Sequence, residues 1–340
     1  MSQHYRNQLR ATRDYQEIKD RALQIRALFR RHNIQFHATS AIGVLLKDAE
    51  TLADNFTAGQ SGNSDFQILL NAAHLDRMAD ALLLLEGESN CKVYLNKLTS
   101  KSLNFLGRTP SQAKDTYWEI ELWALLKGNF SNVRLVDPPD IILDTPDGPL
   151  AIACKKIYSK KNVARQLSSA VKQLKNFDGI GIAAINIDDL VPEETLLRSR
   201  STAELLRFID AENIRFLSLC QRPIQQYFEN GRLSAVAICT NLLAEITHDG
   251  TRFNNARQMT IWAWPHVSPA VSNRLKSFAT AIGVQIKPVT RVGYFVAHPN
   301  LRFWISVFPP LSNAGYPAGA ANRGRFLFGY FFFGEARKSD

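Results

Sequence analysis

The chain of 340 residues contains no run of about 20 apolar residues, so we expect no membrane-spanning helix and no membrane partner. Its first residues are charged and lack an apolar stretch, which argues against a secretory signal peptide. Only four cysteines are present, and none belongs to a CxxC motif or to the Cys/His spacing of structural zinc sites. Four scattered cysteines are typical of a reducing compartment, and we expect a cytoplasmic protein.

Several catalytic signatures are also missing. The seven histidines form no HxH or HExxH pair, and the chain has neither a GxxxxGK[ST] phosphate loop nor a GxSxG nucleophile elbow. The pair Gly179 and Gly181 lacks the third glycine and the following helix of a dinucleotide site. These absences argue against zinc proteases, P-loop NTPases, α/β-hydrolases and nicotinamide-dependent enzymes.

The charge balance points to a polyanionic partner. Lysine and arginine outnumber the acids and give a net charge of +10 and a pI near 9.5. Hydrophobic residues make up 45% and charged residues 21%, as in ordinary globular proteins. A chain of this length can form about two domains with substantial cores.

Composition and periodicity divide the chain into three parts. Residues 1–105 carry helical spacing and few alternating β-type runs, which predicts an all-helical N-terminal domain. We predict a second domain over residues 106–265, and an aromatic-rich C-terminal extension over residues 266–340 that packs on it. Residues 1–36 hold eight Lys/Arg against three acids, so Arg26, Arg30 and Arg31 either contact phosphates or form a solvated helix face.

The stretch over residues 137–175 is the best defined part of the second domain. Two short β-type runs, residues 140–143 and 150–157, flank a turn rich in Asp, Pro and Gly. A helix follows, because its apolar residues recur at i, i+4, i+7, i+8 and i+11; they are Val163, Leu167, Ala170, Val171 and Leu174.

A helix and a strand precede this stretch, and further strands follow it. The helix is predicted over residues 112–127 and the strand over residues 133–136. A buried strand is predicted at residues 179–187, and two more at residues 233–241 and 258–264. The order is therefore helix, three strands, helix and strand, which indicates an α/β fold with additional strands.

Within this order, Pro139-Asp140 opens one strand and Ala153-Cys154-Lys155 lies in the next. The combination resembles the PD-(D/E)xK nuclease superfamily, with Ala153 in place of the second acid. The resemblance implies a restriction-endonuclease-like core, an α-β-β-β-α-β mixed sheet flanked by helices, here preceded by an all-helical domain. It also implies that Asp140 and Lys155 are catalytic and converge on one cleft.

The family also carries a glutamate on the helix before the strands and often a glutamine on the helix after them. Glu119 and Glu121 are the candidates for the first role; they lie about 200° apart around a helix, so only one can face the cleft. We prefer Glu121, which shares a side with apolar residues. Gln173 is the preferred glutamine, with Gln166 as the alternative.

By the same resemblance the chain binds Mg²⁺ or Mn²⁺. The expected ligands are oxygen atoms, as Mg²⁺ prefers: the carboxylates of Asp140 and Glu121 and the backbone carbonyl of Cys154. Lys155 would orient or deprotonate the attacking water. Residues 151–176 hold seven Lys/Arg and no acid, which predicts a phosphate-binding surface. Its nucleic-acid-binding residues are Lys156, Lys160, Lys161, Arg165, Lys172 and Lys175.

These features predict a metal-dependent nuclease that hydrolyses phosphodiester bonds of DNA, as relatives do in restriction, repair or phage defence. Three explanations for Ala153 stay open: the acid was replaced by engineering, Asp144 or a helix glutamate took over its role, or the protein is a pseudonuclease. The last corresponds to the alternative function, a non-catalytic nucleic-acid-binding or assembly protein. A homo-oligomer or a protein partner is left open, through the helical N-terminus or the aromatic runs at residues 303–308 and 326–333.

Overall fold

The computed structural model describes ten segments of the chain: residues 13–59, 65–99, 103–105, 107–177, 180–191, 197–247, 251–264, 266–281, 286–287 and 330–331. Over these segments the protein is α/β. A mixed sheet is flanked by helices and preceded by a helical region. No helix within the described segments combines the length and the apolarity needed to cross a membrane.

Four helices form the N-terminal region: α1 (Tyr15–Arg31), α2 (Ala41–Thr57), α3 (Phe66–Leu85) and α4 (Cys91–Thr99). Each of the first three begins at a side chain that accepts a backbone N–H, which satisfies a donor that the helix leaves unpaired. Asp14 forms a capping box with Glu17, Ser40 accepts from Gly43, and Asp65 accepts from Gln67. The helical region expected from the sequence is thus present.

Four of the five basic residues of α1 form ion pairs within the fold, while Arg30 is exposed. Their side chains form ion pairs with acids of α2 and α3 or of the turn after α3, and the pairs include Lys19–Asp54, Arg21–Asp80, Arg26–Glu50 and Arg31–Glu86. Arg26 and Arg31 therefore hold neighbouring helices together. Arg26 is partly buried in its pair, whereas the Arg31–Glu86 pair is exposed and lies on a solvated helix face.

The order of helix, three strands, helix and strand expected from the sequence is observed. It comprises α5 (Gln112–Lys127), β1 (Val133–Leu135), β2 (Ile141–Thr145), β3 (Gly148–Lys156), α6 (Val163–Leu174) and β4 (Ile180–Asn186). Strands β1, β2 and β3 are antiparallel neighbours, while β4 lies parallel to β3. The fold class is thereby correct at the level of a helix-flanked mixed sheet.

The remaining elements extend the sheet. They are β5 (Leu197–Ser199), α7 (Thr202–Leu219), α8 (Gln221–Glu229), β6 (Ala235–Ile246), β7 (Thr251–Ala263), α9 (Pro269–Ala281), β8 (Ile286–Lys287) and β9 (Tyr330–Phe331). The main strand order is β1-β2-β3-β4-β6-β7-β8, with β5 paired to β6 and β9 to β7. The two further strands expected from the sequence are present, and as β6 and β7 they form a long antiparallel pair.

The C-terminal part touches the sheet where it is described. Ser277 of α9 donates a hydrogen bond to Asp147 in the turn between β2 and β3, and Arg274 donates to the carbonyl of the same residue. Gly148 has φ +118, a backbone conformation that residues with a side chain rarely adopt, so a substitution there would be strained. The aromatic run at residues 303–308 lies outside the described residues, and of the second run only Tyr330–Phe331 is described, as β9.

Side chains of β3 alternate between the two faces of the sheet. Ile152 and Cys154 belong to an apolar cluster with α5 and with the N-terminal helices. Ala151 and Ala153 belong to a second cluster under α6, α7 and α8. The first cluster includes buried residues from Tyr15 of α1 to Ala279 of α9. The helical region and one face of the sheet therefore share a core.

Candidate active site

Asp140, directly before β2, and Lys155, near the end of β3, lie side by side. Strand β2 runs antiparallel to β3 with Ile141 opposite Ile152, so Asp140 comes beside the Ala153–Cys154 segment. The Asp140 Oδ2 atom accepts a hydrogen bond from the Cys154 N–H at 2.6 Å, and the Lys155 Nζ atom lies 3.6 Å from the same oxygen. The structure therefore brings these two residues into contact.

The contacts of Lys155 and Gln173 complete this arrangement. Lys155 Nζ donates to the Cys154 carbonyl at 2.7 Å, which holds the ammonium over its own strand. Gln173, on α6, donates from Nε2 to Asp140 Oδ1 at 3.1 Å. Gln173 is thus the glutamine of α6 that reaches the site, and both carboxylate oxygens of Asp140 already accept a hydrogen bond.

Glu119 is the glutamate of α5 on this side. It is partly buried, and burial together with the Asp140 charge raises its pKa to about 8, while Lys97 and Lys155 oppose the rise. Burial also raises the pKa of Asp140 to about 6, against the pull of Lys155 and the Cys154 N–H. The pKa values of Glu119 and Asp140 are thus both raised, and a positive charge placed beside them would favour their ionised forms.

The structure contradicts the choice of Glu121. Arg77 of α3 forms a bidentate ion pair with Glu121. Its Nε donates to Oε1 at 2.7 Å and its Nη2 donates to Oε2 at 2.8 Å. Tyr117 and Arg257 also donate to Oε1, and the carboxylate is almost fully buried. Glu121 therefore belongs to a buried ionic network, and its oxygens are committed to arginines rather than to the cleft of Asp140.

Lys156 is the second correction. Its side chain is buried, donates to Asn186 Oδ1 and lies 2.7 Å from Asp189 Oδ2. Consecutive residues of a strand point to opposite faces, so Lys155 and Lys156 could not serve one surface. The prediction that Lys156 binds nucleic acid is wrong, because this lysine joins the same buried network as Arg77 and Glu121, through Asp188.

The other basic residues predicted to bind phosphates remain on the surface. All five are exposed, and none has an acidic partner among the described residues; they are Lys160, Lys161, Arg165, Lys172 and Lys175. The opposite side of α6 is apolar and buried. This contrasts with Arg21, Arg26 and Arg31 of α1, which form ion pairs within the protein.

The surroundings of Ala153 and the position of Asp144 show whether another carboxylate replaces the acid that is missing at position 153. Ala153 shares a face with Lys155, but its side chain is fully buried in the apolar cluster under α6. Asp144 lies four residues along β2 from Asp140, about 13 Å at strand rise, and Asn132 donates to it. Asp144 therefore does not replace the acid at this site, whereas Glu119 is near enough to couple to Asp140.

Sequence reasoning missed the contribution of α4. Lys97 acts electrostatically on Glu119, and its Nζ atom lies 3.5 Å from Asp137, three residues before Asp140. Tyr94 is buried in the same place. No motif links this helix to the strands, because about 40 residues separate Lys97 from them and only the tertiary fold brings them together.

The donor set fits a hard divalent cation in part. Mg²⁺ typically binds one or two carboxylates and keeps several waters. Asp140, Glu119 and the Cys154 carbonyl offer such oxygens, whereas within the described segments no three His, Cys, Asp or Glu side chains converge on a cation site. No protein-family model matches the chain, and no curated protein matches it.

Proposed function

We propose that this chain is a metal-dependent nuclease that hydrolyses phosphodiester bonds of DNA, related to the PD-(D/E)xK enzymes. The observation that carries the proposal is the meeting of Asp140, Lys155 and Gln173 from two strands and the following helix. Glu119 from the preceding helix joins them electrostatically. These four positions are those for which the resemblance implies a role, with Glu119 in place of Glu121.

Each residue has a separate task in this proposal. Asp140 and Glu119 would hold Mg²⁺ or Mn²⁺ together with the Cys154 carbonyl. The bound ion would neutralise charge on the phosphate and lower the pKa of a bound water. Lys155 lies within 3.6 Å of Asp140, and its ammonium group can orient the attacking water by a hydrogen bond and offset negative charge at the phosphate. Gln173 fixes the Asp140 carboxylate through its hydrogen bond to Oδ1.

The exposed side of α6 would bind the phosphate backbone. Arg165 and Lys172 lie on the helix that also carries Gln173, Lys160 and Lys161 lie in the turn before it, and Lys175 follows it directly, so backbone contacts and the reacting phosphate can belong to one substrate strand. Phosphate contacts of this kind position a substrate without reading its sequence. They also release counterions, so binding should weaken steeply with salt.

Cleavage of supercoiled plasmid in Mg²⁺ or Mn²⁺, with and without EDTA, tests the proposal. The unaltered chain should nick or linearise the plasmid only with metal, and Asp140→Asn should abolish this. Asp144→Asn is the matched control, because it removes an acid from the same strand about 13 Å away and should cut normally. Cleavage that survives Asp140→Asn would contradict the assignment.

Ala153 favours a second candidate, a pseudonuclease that binds nucleic acid without cutting it. A methyl group cannot ligate a metal, and its surroundings are apolar. Calorimetric titration separates the two functions. A nuclease should bind Mg²⁺ or Mn²⁺, and Asp140→Asn should abolish that binding. A pseudonuclease should bind DNA and show no metal binding.

A further inference from the structure

Helix α8 ends in a turn that holds Arg232 against the helix. Gly231 has φ +63, a conformation in which glycine commonly terminates helices. The Arg232 N–H donates to the Tyr227 carbonyl and the Gly231 N–H donates to the Phe228 carbonyl, both at 2.9 Å. These two bonds are the pair that defines a Schellman motif. The motif therefore fixes where the chain turns from α8 toward β6, and it places Arg232 beside the last turn of the helix.

The end of β7 lies next to this turn. The Trp264 N–H donates to the carbonyl of Ser234, two residues after Arg232, at 3.1 Å. The centre of the Trp264 ring is 5.6 Å from that of Phe228 and 5.2 Å from that of His266. Phe228 is buried, Trp264 is partly buried and His266 is exposed. Aromatic rings therefore continue from the core under α8 to the surface beside Arg232.

The C-terminal end of α6 reaches the same edge of the sheet. The Ser234 N–H donates to the Gly181 carbonyl at 2.9 Å, so the turn before β6 lies beside the start of β4. A Cβ at Gly181 would lie 3.1 Å from a side-chain carbon of Leu174, the last residue of α6. Lys175 follows Leu174 directly, and it therefore lies at this edge together with Arg232.

The cations at this edge are open to an anionic partner. Lys175 and Arg232 are both exposed, and neither has an acidic partner in the part of the chain that the structure describes. Glu229, an exposed acid in the last turn of α8, accepts a hydrogen bond from Gln225 at 2.9 Å, one helical turn earlier. An anion would therefore meet two cations beside partly exposed rings.

Cations and aromatic rings together match the chemistry of an unpaired nucleic-acid strand. Cations contact its phosphates whatever its sequence, and aromatic side chains stack on its bases. The bases of a duplex are paired and stacked on one another, so their faces are closed to such rings. We propose that this surface, the aromatic edge, binds single-stranded nucleic acid; it consists of Lys175, Arg232, Trp264 and His266. The inference goes beyond the proposed function, because the aromatic edge would bind an unpaired strand whether or not the chain cuts DNA.

Anisotropy titrations of fluorescein-labelled oligothymidine in EDTA test the proposal, with a duplex of the same length measured in parallel. Trp264→Leu keeps an apolar side chain against Phe228 but removes the ring. It should weaken single-strand binding at least about fivefold, the lower end of the effect of one stacked base, and leave duplex binding unchanged. Arg232→Gln should reduce the slope of log K against log salt by about 0.7, the value for one phosphate contact on a single strand.

Two further variants make the result decisive. Arg222→Gln is the matched control, since Arg222 is also exposed but lies at the opposite end of α8, and it should leave single-strand binding unchanged. His266→Ala removes an exposed ring, should also weaken single-strand binding, and decides the result if circular dichroism shows that Trp264→Leu does not fold. Unchanged single-strand affinity in the folded ring variants, or an equal loss for the duplex, would overturn the proposal.

The same titrations separate this inference from the proposed function. Failure of the unaltered protein to bind oligothymidine while it cuts plasmid would overturn this inference alone. Single-strand binding that depends on Trp264 and Arg232, without any metal-dependent cleavage, would support the aromatic edge and overturn the proposed nuclease instead.

Discussion

Glu119 and Glu121 stand two residues apart on α5 and have opposite electrostatic surroundings. Burial and Asp140 raise the pKa of Glu119 to about 8. Burial would raise the pKa of Glu121 too, but Arg257 and Arg77 outweigh it and hold this pKa below its usual value. A helix places residues two apart about 200° from each other, so one faces the site and the other the buried network.

Glu121 should therefore matter for stability and Glu119 for the site. Glu121→Gln leaves Arg77 and Arg257 buried without their anionic partner, and we expect a loss of about 3 kcal/mol in the free energy of unfolding. Urea denaturation followed by circular dichroism measures this loss. Glu86→Gln, in the exposed pair with Arg31, should cost less than about 1 kcal/mol. Similar losses for the two variants would contradict the buried network.

The raised pKa of Glu119 predicts a pH-dependent stability. In the unfolded chain the carboxyl group ionises near its usual pKa of 4.5, whereas in the folded state it keeps its proton up to about pH 8. Its contribution is therefore complete below the lower value and is lost as the pH rises through the higher one. In EDTA, Glu119→Gln should raise the melting temperature at pH 8 and have little effect at pH 4.5.

Metal binding should also depend on pH, but it should become stronger as the pH rises. A cation needs ionised carboxylates, so its affinity should increase from pH 6 to pH 8 as Glu119 and Asp140 lose protons. Calorimetry in two buffers of different ionisation enthalpy measures the protons released. Glu119→Gln should reduce both the release and the pH dependence. A proton release that Glu119→Gln leaves unchanged would place the cation elsewhere.

The elements around the site could be predicted because their signals are local. The apolar spacing of α6 and the turn between β2 and β3 each lie within a few residues, and they place Asp140, Lys155 and Gln173. The distinction between Glu119 and Glu121 depends on Arg77 and Arg257, which are 44 and 136 residues from Glu121. No pattern along the chain contains such pairings.

The misassignment of Lys156 has the same physical origin. In sequence it is one of two adjacent lysines in a basic stretch, but its partners Asn186 and Asp189 come from the end of β4 and the turn after it. Strand alternation alone indicates that only one of the two lysines can face the cleft. Which lysine is buried depends on the acids packed against each face, and these come from distant parts of the chain.

The basic surface of α6 should bind DNA without regard to sequence. Reversing charge with Lys172→Glu and Lys175→Glu should weaken binding to all duplexes alike and lower the salt dependence, because phosphate contacts carry no base information. Arg207→Glu with Arg215→Glu, two exposed residues of α7, is the matched control. Equal weakening by both pairs in an anisotropy titration would indicate general attraction to a basic protein rather than an α6 interface.

Ala153 gives the sharpest test of the missing acid. Continuing the register of β2 and β3 places position 153 opposite Asp140, on the face that also carries Lys155. A glutamate there would have to reach from a fully buried position toward the Asp140 carboxylate. Overpacking this core should cost about 1–3 kcal/mol in the free energy of unfolding. We expect Ala153→Glu to increase Mg²⁺ affinity and Mg²⁺-dependent plasmid cleavage in spite of that cost.

Ala153→Gln separates charge from volume, because glutamine fills the same space and supplies no carboxylate. It should be destabilised to a similar degree and should not gain metal affinity. Asp140→Asn in the Ala153→Glu background should abolish the gain, since a single carboxylate competes poorly with the hydration shell of Mg²⁺. If the unaltered chain already cuts as fast as Ala153→Glu, Asp140 and Glu119 suffice without a third acid. If Ala153→Glu binds metal and DNA yet does not cut, the chain is a binding protein on a nuclease-like fold.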